Sequence, residues 1–153
     1  MLLGLLVVPA WAQTSVSLLD SQLERADDGV YLSATLDFEL SPALEDALGR
    51  GMPLNFVLQA EVLRERWYWY DKKLSLAERY YRLAYQPLSR RWRLQVSPTP
   101  LVNSGLGVTL GNSYESLGDA LLGLQKTTRW KVIEPGLLQK DAKQRLDLRF
   151  RLD

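Results

Sequence analysis

Hydrophobic and polar residues alternate along two stretches of this 153-residue chain, at residues 30–40 and 145–152. Successive side chains of a strand point to opposite faces, so both stretches predict half-buried β-strands. Weaker forms of the pattern predict strands at residues 15–25, 54–66, 74–86, 91–96 and 130–133. Short turns such as Asp27-Asp28-Gly29 separate several of these segments, which favours antiparallel neighbours.

Two other segments carry helix signals. Ser41 is a suitable capping residue, Pro42 suits the first helical position, and Gly49 or Gly51 would end this short helix. Residues 113–127 carry leucines at helical spacing, with Ser113 as the capping residue, after a loop at residues 97–112. The predicted fold class is therefore α+β, an antiparallel β-sheet of about seven strands with two helices packed on it.

The first twelve residues resemble a signal peptide. A short apolar run precedes Ala10 and Ala12, which give the small-x-small pattern of a signal-peptidase site, and cleavage after Ala12 would leave Gln13 first. No basic residue precedes the run, so we expect a signal peptide truncated at its N-terminus. The alternative is that residues 2–8 form a buried strand or helix. We predict residues 13–153 as a single domain without a transmembrane helix.

The composition excludes several kinds of chemistry. The chain has no Cys and no His, which removes disulfides, thiol nucleophiles, thiolate metal sites, the usual general base and the commonest transition-metal ligand. A carboxylate-based hydrolase would have to use residues such as Asp37, Glu39 and Glu61, which the alternation places on ordinary outer faces. We therefore expect no enzyme, no metal and no cofactor.

The charges are unevenly distributed, although the net charge is only +1. Residues 13–60 carry two basic and eight acidic side chains, whereas residues 61–93 carry nine basic and four acidic ones. One interpretation is that acidic and basic strands pair side by side in the sheet. The other is that a basic, aromatic surface faces an acidic partner.

The densest aromatic and basic segment is residues 64–71, RERWYWYD. Together with neighbouring strands it supplies a candidate surface for a ligand or partner. Its members are Arg64, Arg66, Trp67, Trp69, Arg82, Arg91 and Arg93. Such side chains suit sugar or peptidoglycan stacking, peptide capture and cation–π contacts. The alternative is that the aromatic side chains fill both sides of a covered sheet. Nucleic acid would use similar residues, but export argues against that partner.

Several motifs together resemble an exported bacterial family, domain-of-unknown-function family number 4390. The matching motifs include Asp37-Phe38-Glu39-Leu40, Leu44-Glu45-Asp46-Ala47-Leu48, Arg66-Trp67-Tyr68-Trp69-Tyr70-Asp71, Tyr81-Arg82-Leu83-Ala84-Tyr85, Leu88-Ser89-Arg90-Arg91-Trp92-Arg93 and Trp130-Lys131-Val132. The resemblance covers nearly all of residues 13–153, and its most specific part is the Arg-Trp-Tyr-Trp block. This sequence departs from the family pattern in lacking the basic start and a C-terminal tail.

The resemblance implies a periplasmic or secreted protein of the Gram-negative envelope, often encoded beside a sensor kinase of the nitrogen-regulation type. It implies no catalytic residues. The leading hypothesis is a non-catalytic interaction module that partners an envelope protein or sensor kinase. A sugar- or peptidoglycan-binding module is the first alternative, and a small carboxylate-based hydrolase is the second.

Overall fold

The computed structural model describes residues 3–8, 16–64, 72–100, 110–137 and 144–152. These ranges contain nine strands, two α-helices and a short 3-10 turn, which confirms the α+β class. In chain order they are β1 (Leu3–Val8), β2 (Val16–Ala26), β3 (Gly29–Phe38), α1 (Pro42–Gly49), β4 (Leu54–Arg64), β5 (Lys72–Gln86), β6 (Arg91–Ser97), β7 (Leu110–Tyr114), α2 (Leu117–Gln125), β8 (Lys126–Ile133), the 3-10 turn (Pro135–Leu137) and β9 (Gln144–Leu152).

The strands form two sheets, where the sequence predicted one. Six strands follow the order β1-β9-β4-β5-β6-β7, and three follow the order β2-β3-β8. The single-sheet prediction is wrong because alternation reports only that each strand has one apolar face, and says nothing about which strands share hydrogen bonds. Two helices of eight and nine residues are too short to cover the apolar face of the larger sheet, so the smaller sheet covers much of it.

The core lies between the two sheets. Phe38 of β3 meets Phe150 of β9 at a ring-centroid distance of 4.9 Å, and Phe150 stacks on Phe56 of β4 at 5.5 Å. Tyr81 of β5 and Thr127 of β8 are both buried, and their hydroxyl oxygens lie 3.3 Å apart in a hydrogen bond. Aromatic packing and one buried polar contact thus join the sheets face to face.

Both helices pack against this same core. α1 begins as predicted, because the Ser41 Oγ accepts from the amide of Leu44 at 3.3 Å, and it ends at Gly49. α2 begins later than predicted, since the Ser116 Oγ accepts from the amide of Asp119 at 3.1 Å and residues 110–114 form β7 instead. Ser113 is therefore not the capping residue. Leu44 and Leu48 of α1 and Ala120 and Leu124 of α2 lie in the core. The helices therefore belong to the layer that contains the smaller sheet.

All seven predicted strands are present, and two strands were not predicted. β7 was missed because Gly111, Asn112 and Ser113 have little intrinsic preference for a strand, and only pairing with β6 makes them extended. β1 falls within the predicted signal peptide, at the place of its buried-strand alternative. The signal peptide itself stays a prediction.

Candidate functional site

The structure brings three of the seven candidate residues onto one surface, the outer face of the six-stranded sheet. Leu83 of β5 and Leu94 of β6 point into the core, so the alternate residues Arg82, Arg91 and Arg93 point away from it. Arg82 lies opposite Gln95, and Arg93 lies two pairs further along the same two strands, opposite Ala84. Arg82 and Arg93 are therefore diagonal neighbours on adjacent strands, which lie about 4.8 Å apart, and Arg91 lies two residues beyond Arg93 on β6.

Of the other candidates, Arg64 does not join them. It lies at the end of β4, where alternation puts it on the opposite face, the one that carries Val62. Arg66, Trp67 and Trp69 lie outside the described residues. The sugar-stacking use of the Arg-Trp-Tyr-Trp block accordingly stays a prediction.

Two further arginines on this face were missed as candidates. Arg149 and Arg151 of β9 lie opposite Gln59 and Val57 of β4 and are exposed. The alternation of residues 145–152 already pointed them away from the core, but sequence alone does not reveal that β9 lies beside β4. We call the outer surface of the six-stranded sheet the arginine face. It is defined by Arg82, Arg91, Arg93, Arg149 and Arg151.

No described helix or strand covers the arginine face, yet its centre is closely packed. Val57 points outward with 0% of its surface exposed. Its cross-strand neighbours are Tyr80 of β5 and Arg151 of β9, which both have long side chains. The centre of the face is thus buried, although no described helix or strand lies over it.

The carboxylates on this face are engaged within the molecule. The Glu78 Oε2 accepts from the Tyr80 hydroxyl at 2.9 Å and from the Gln59 Nε2 at 3.0 Å. Asp147 is only 8% exposed, and its Oδ1 accepts from the Arg145 Nε at 2.9 Å. Glu61 also has an interaction partner. Glu78 and Asp147 are therefore engaged by residues of the same sheet.

The guanidinium groups of Arg91, Arg93, Arg149 and Arg151 have no ion pair with any residue in the described ranges. Arg93 lies across the edge strand β7, because its Nε and Nη2 atoms are 3.5 Å from the place where a β-carbon on Gly111 would be. A β-carbon at position 111 would make ordinary van der Waals contact with this guanidinium. The result is a surface with surplus positive charge and several unused donors.

The acidic and basic segments do not pair side by side as one interpretation predicted. The acidic strands β2 and β3 belong to the smaller sheet, whereas the basic strands β5 and β6 belong to the larger one. This interpretation is therefore wrong for residues 13–93. The charge of the two segments is instead separated onto two sheets.

The three carboxylates of the hydrolase alternative do not form one site. Asp37 and Glu39 are exposed at the end of β3, beside an open cleft of about 430 Å³ that Ser17 and Ser41 also line. Glu61 lies on the arginine face, on the far side of the core. A pair of carboxylates acting on one glycosidic bond must flank it, which Glu61 cannot do with either of the others.

No group of three or more Asp or Glu side chains in the described ranges has the spacing to hold a metal ion. Neither α1 nor α2 is long and apolar enough to cross a membrane.

Comparison with known proteins gives one match. Neither a curated protein nor a solved structure matches the chain. One family model, described as a domain of unknown function (DUF4390), matches residues 13–153, which is nearly the whole chain. The protein therefore belongs to the DUF4390 family.

Proposed function

We propose that the protein is a non-catalytic interaction module of the Gram-negative periplasm, which binds an acidic segment of an envelope protein on its arginine face. A sensor kinase is the first candidate partner. The observation that carries this proposal is the imbalance of charge on that face, where the carboxylates are bonded internally and four guanidinium groups have no described acidic partner.

Arginine suits this task better than lysine would. Its planar guanidinium binds a carboxylate through two parallel hydrogen bonds and is weakly hydrated, so it loses little on leaving water. Several arginines on one face also raise the rate of encounter with an acidic partner. Because these arginines project from one face of a single sheet, they present their guanidiniums together to an extended acidic segment.

Site-specific photo-crosslinking in living Gram-negative cells tests the proposal. A photoreactive amino acid replaces Gln95, a half-exposed residue of the arginine face that lies between Arg82 and Gly111. The matched control carries the same group at Thr35, a half-exposed outward residue of the smaller sheet. We expect an adduct with an envelope protein from position 95 alone, joined at an acidic segment that mass spectrometry identifies.

Combining the probe with charge reversal makes the test stricter. The double variant Arg93→Glu and Arg151→Glu should remove most of the adduct, because both exposed guanidiniums become carboxylates. Equal adducts from positions 95 and 35 would contradict the use of the arginine face. Adducts with cytoplasmic proteins alone would contradict the periplasmic assignment.

A further inference from the structure

One edge of the six-stranded sheet is built differently from the rest. β1 pairs with β9 in parallel, with Leu3 opposite Gln144 and Val8 opposite Arg149. All the other strand pairs among the described residues are antiparallel. The β9 edge therefore accepts a six-residue extended segment in parallel register.

The segment that occupies this edge lies within the predicted signal peptide. The family match begins at residue 13, after the predicted cleavage site. Cleavage after Ala12 would remove β1 and leave β9 as the edge strand. Its unpaired amides and carbonyls would then lie beside the buried side chains of Leu146, Leu148 and Phe150. Such an edge readily pairs with another strand.

We infer that the β9 edge of the processed protein accepts an extended segment of its partner, in parallel register, where residues 3–8 lie in the unprocessed chain. This inference rests on the proposed function and on the predicted cleavage, and it specifies how the partner is held. Backbone hydrogen bonds supply affinity in this mode of recognition, and alternate side chains supply specificity.

The neighbouring residues of β9 define the chemistry of that segment. Residues on its inward side would lie beside Leu146, Leu148 and Phe150, so they should be apolar. On its outward side it would lie beside the exposed Arg149 and Arg151, where acidic residues fit. The partner segment therefore alternates apolar and polar residues and ends in acidic ones.

A second copy of the chain fits this edge less well. Two β9 strands related by a twofold axis perpendicular to the sheet would present the same outer face. Their arginines at positions 149 and 151 would then lie on one surface as like charges, which destabilises strand pairing. The charge on β9 thus favours an acidic partner segment.

The test uses protein exported by a Gram-negative host and purified from the periplasm, with its N-terminus established by mass spectrometry. The probe is the peptide LTLTVEVE, which in the register of β1 places its two glutamates beside Arg149 and Arg151. The control peptide LTLTVKVK has lysine at both positions. Binding is measured by calorimetry, and hydrogen exchange reports protection of the β9 amides.

We expect the first peptide to bind the processed protein and protect β9, and the lysine peptide to bind at least about tenfold more weakly. The unprocessed chain, produced in the cytoplasm, should bind neither peptide because residues 3–8 occupy the edge. The double variant Arg149→Glu and Arg151→Glu should reverse the preference between the peptides. This reversal would not result from a general loss of folding.

Three outcomes would overturn the inference. One is a periplasmic protein that retains residues 1–12. Another is a processed protein whose β9 amides stay unprotected with the first peptide, and the last is a dimer with protected β9 in the absence of peptide. A crosslink from position 95 to an acidic envelope segment would still support the proposed function in each case, so the two failures are distinguishable.

Discussion

The two outer faces of the molecule carry surplus charge of opposite sign. On the arginine face, the carboxylates are bonded and guanidiniums are in surplus. We call the outer surface of the smaller sheet the acidic face. Its charged residues are Asp20, Glu24, Asp37, Lys126, Arg129 and Lys131 on the strands, with Asp28 in the turn between β2 and β3 and Glu39 just after β3. Here two of the three cations have partners, since Arg129 lies 3.6 Å from Glu24 and Lys131 lies 3.7 Å from Glu134.

The surplus on the acidic face is negative. Asp20, Asp37 and Glu39 have no ion pair with any residue that the structure describes. The net charge of +1 therefore describes neither face. A chain with a net charge near zero has no strong overall electrostatic field. It can still carry two oppositely charged surfaces, separated by a core about 10 Å thick.

The largest effect on stability should come from a substitution in the core that joins the two sheets. Phe150 is 2% exposed and contacts an aromatic ring in each sheet, Phe38 in one and Phe56 in the other. Replacing a buried Phe by Ala costs about 3–5 kcal/mol of stability. We therefore expect Phe150→Ala to lower the free energy of unfolding by that amount in urea denaturation.

The matched control for this variant is Leu88→Ala, in the turn between β5 and β6, where Leu88 is 103% exposed. It should change the free energy of unfolding by less than about 0.5 kcal/mol. Similar losses from both variants would show that Phe150 does not join the sheets.

A smaller loss of stability should come from a substitution at the turn between β2 and β3. Gly29 has φ +139°, and a β-carbon there would clash with the carbonyl oxygen of Ile133 on β8. We expect Gly29→Ala to lower the free energy of unfolding by about 2–3 kcal/mol. The alanine must adopt a positive φ, and its β-carbon must also displace the backbone of Ile133. Gly136→Ala is the control, since nothing lies within 4 Å of its added carbon. Equal melting temperatures for the two variants would contradict this account.

Much of the fold follows from local patterns. The alternation of residues 30–40 and 145–152 predicts β3 and β9 because one face of each strand must be buried. Ser41 and Pro42 predict the start of α1, because a serine can cap a helix and a proline fits its first position without any long-range contact. Alternation does not reveal which strands pair, so the division into two sheets needed the structure. Similarly, β7 forms through its pairing with β6, and its own residues carry no strand signal.

The candidate site was predictable to the same limited extent. Arg82, Arg91 and Arg93 come from strands adjacent in sequence, so the sequence suggested them together. Arg149 and Arg151 lie far away along the chain, and they join only because β9 pairs with β4. Strand order is a long-range property, and one sequence contains little information about it.

Charge reversal on each face should show whether the two faces differ in their contribution to binding an acidic ligand. At low salt, we expect Arg93→Glu with Arg151→Glu to weaken polyglutamate binding about tenfold, which corresponds to about 1.4 kcal/mol. Lys126→Glu with Lys131→Glu changes the net charge equally, but on the acidic face. It should weaken polyglutamate binding much less. Isothermal calorimetry compares them, and equal losses would mean that only net charge matters.

The smallest effect concerns one hydrogen bond on the acidic face. The Tyr31 hydroxyl donates to the Asp28 Oδ2 at 2.6 Å, and this bond holds the pKa of Asp28 below its ordinary value and raises the pKa of Tyr31. A carboxyl whose pKa is lowered by folding stabilises the protein above its unfolded pKa, and this contribution is lost as the pH falls through the folded value. The contribution from a phenol whose pKa is raised is lost as the pH rises through its folded value.

Tyr31→Phe should therefore move the pKa of Asp28 upward toward its ordinary value, as NMR titration of the carboxyl carbon would measure. The matched control is Tyr80→Phe on the arginine face, which removes a similar tyrosine–carboxylate bond to Glu78 and should leave the Asp28 titration unchanged. An unchanged Asp28 pKa in Tyr31→Phe would mean that the backbone hydrogen bond at Asp28 and the nearby cations Lys131 and Arg129 hold it down instead. In that case the backbone and the neighbouring cations would set the charge state of Asp28, and the hydrogen bond from Tyr31 would be secondary.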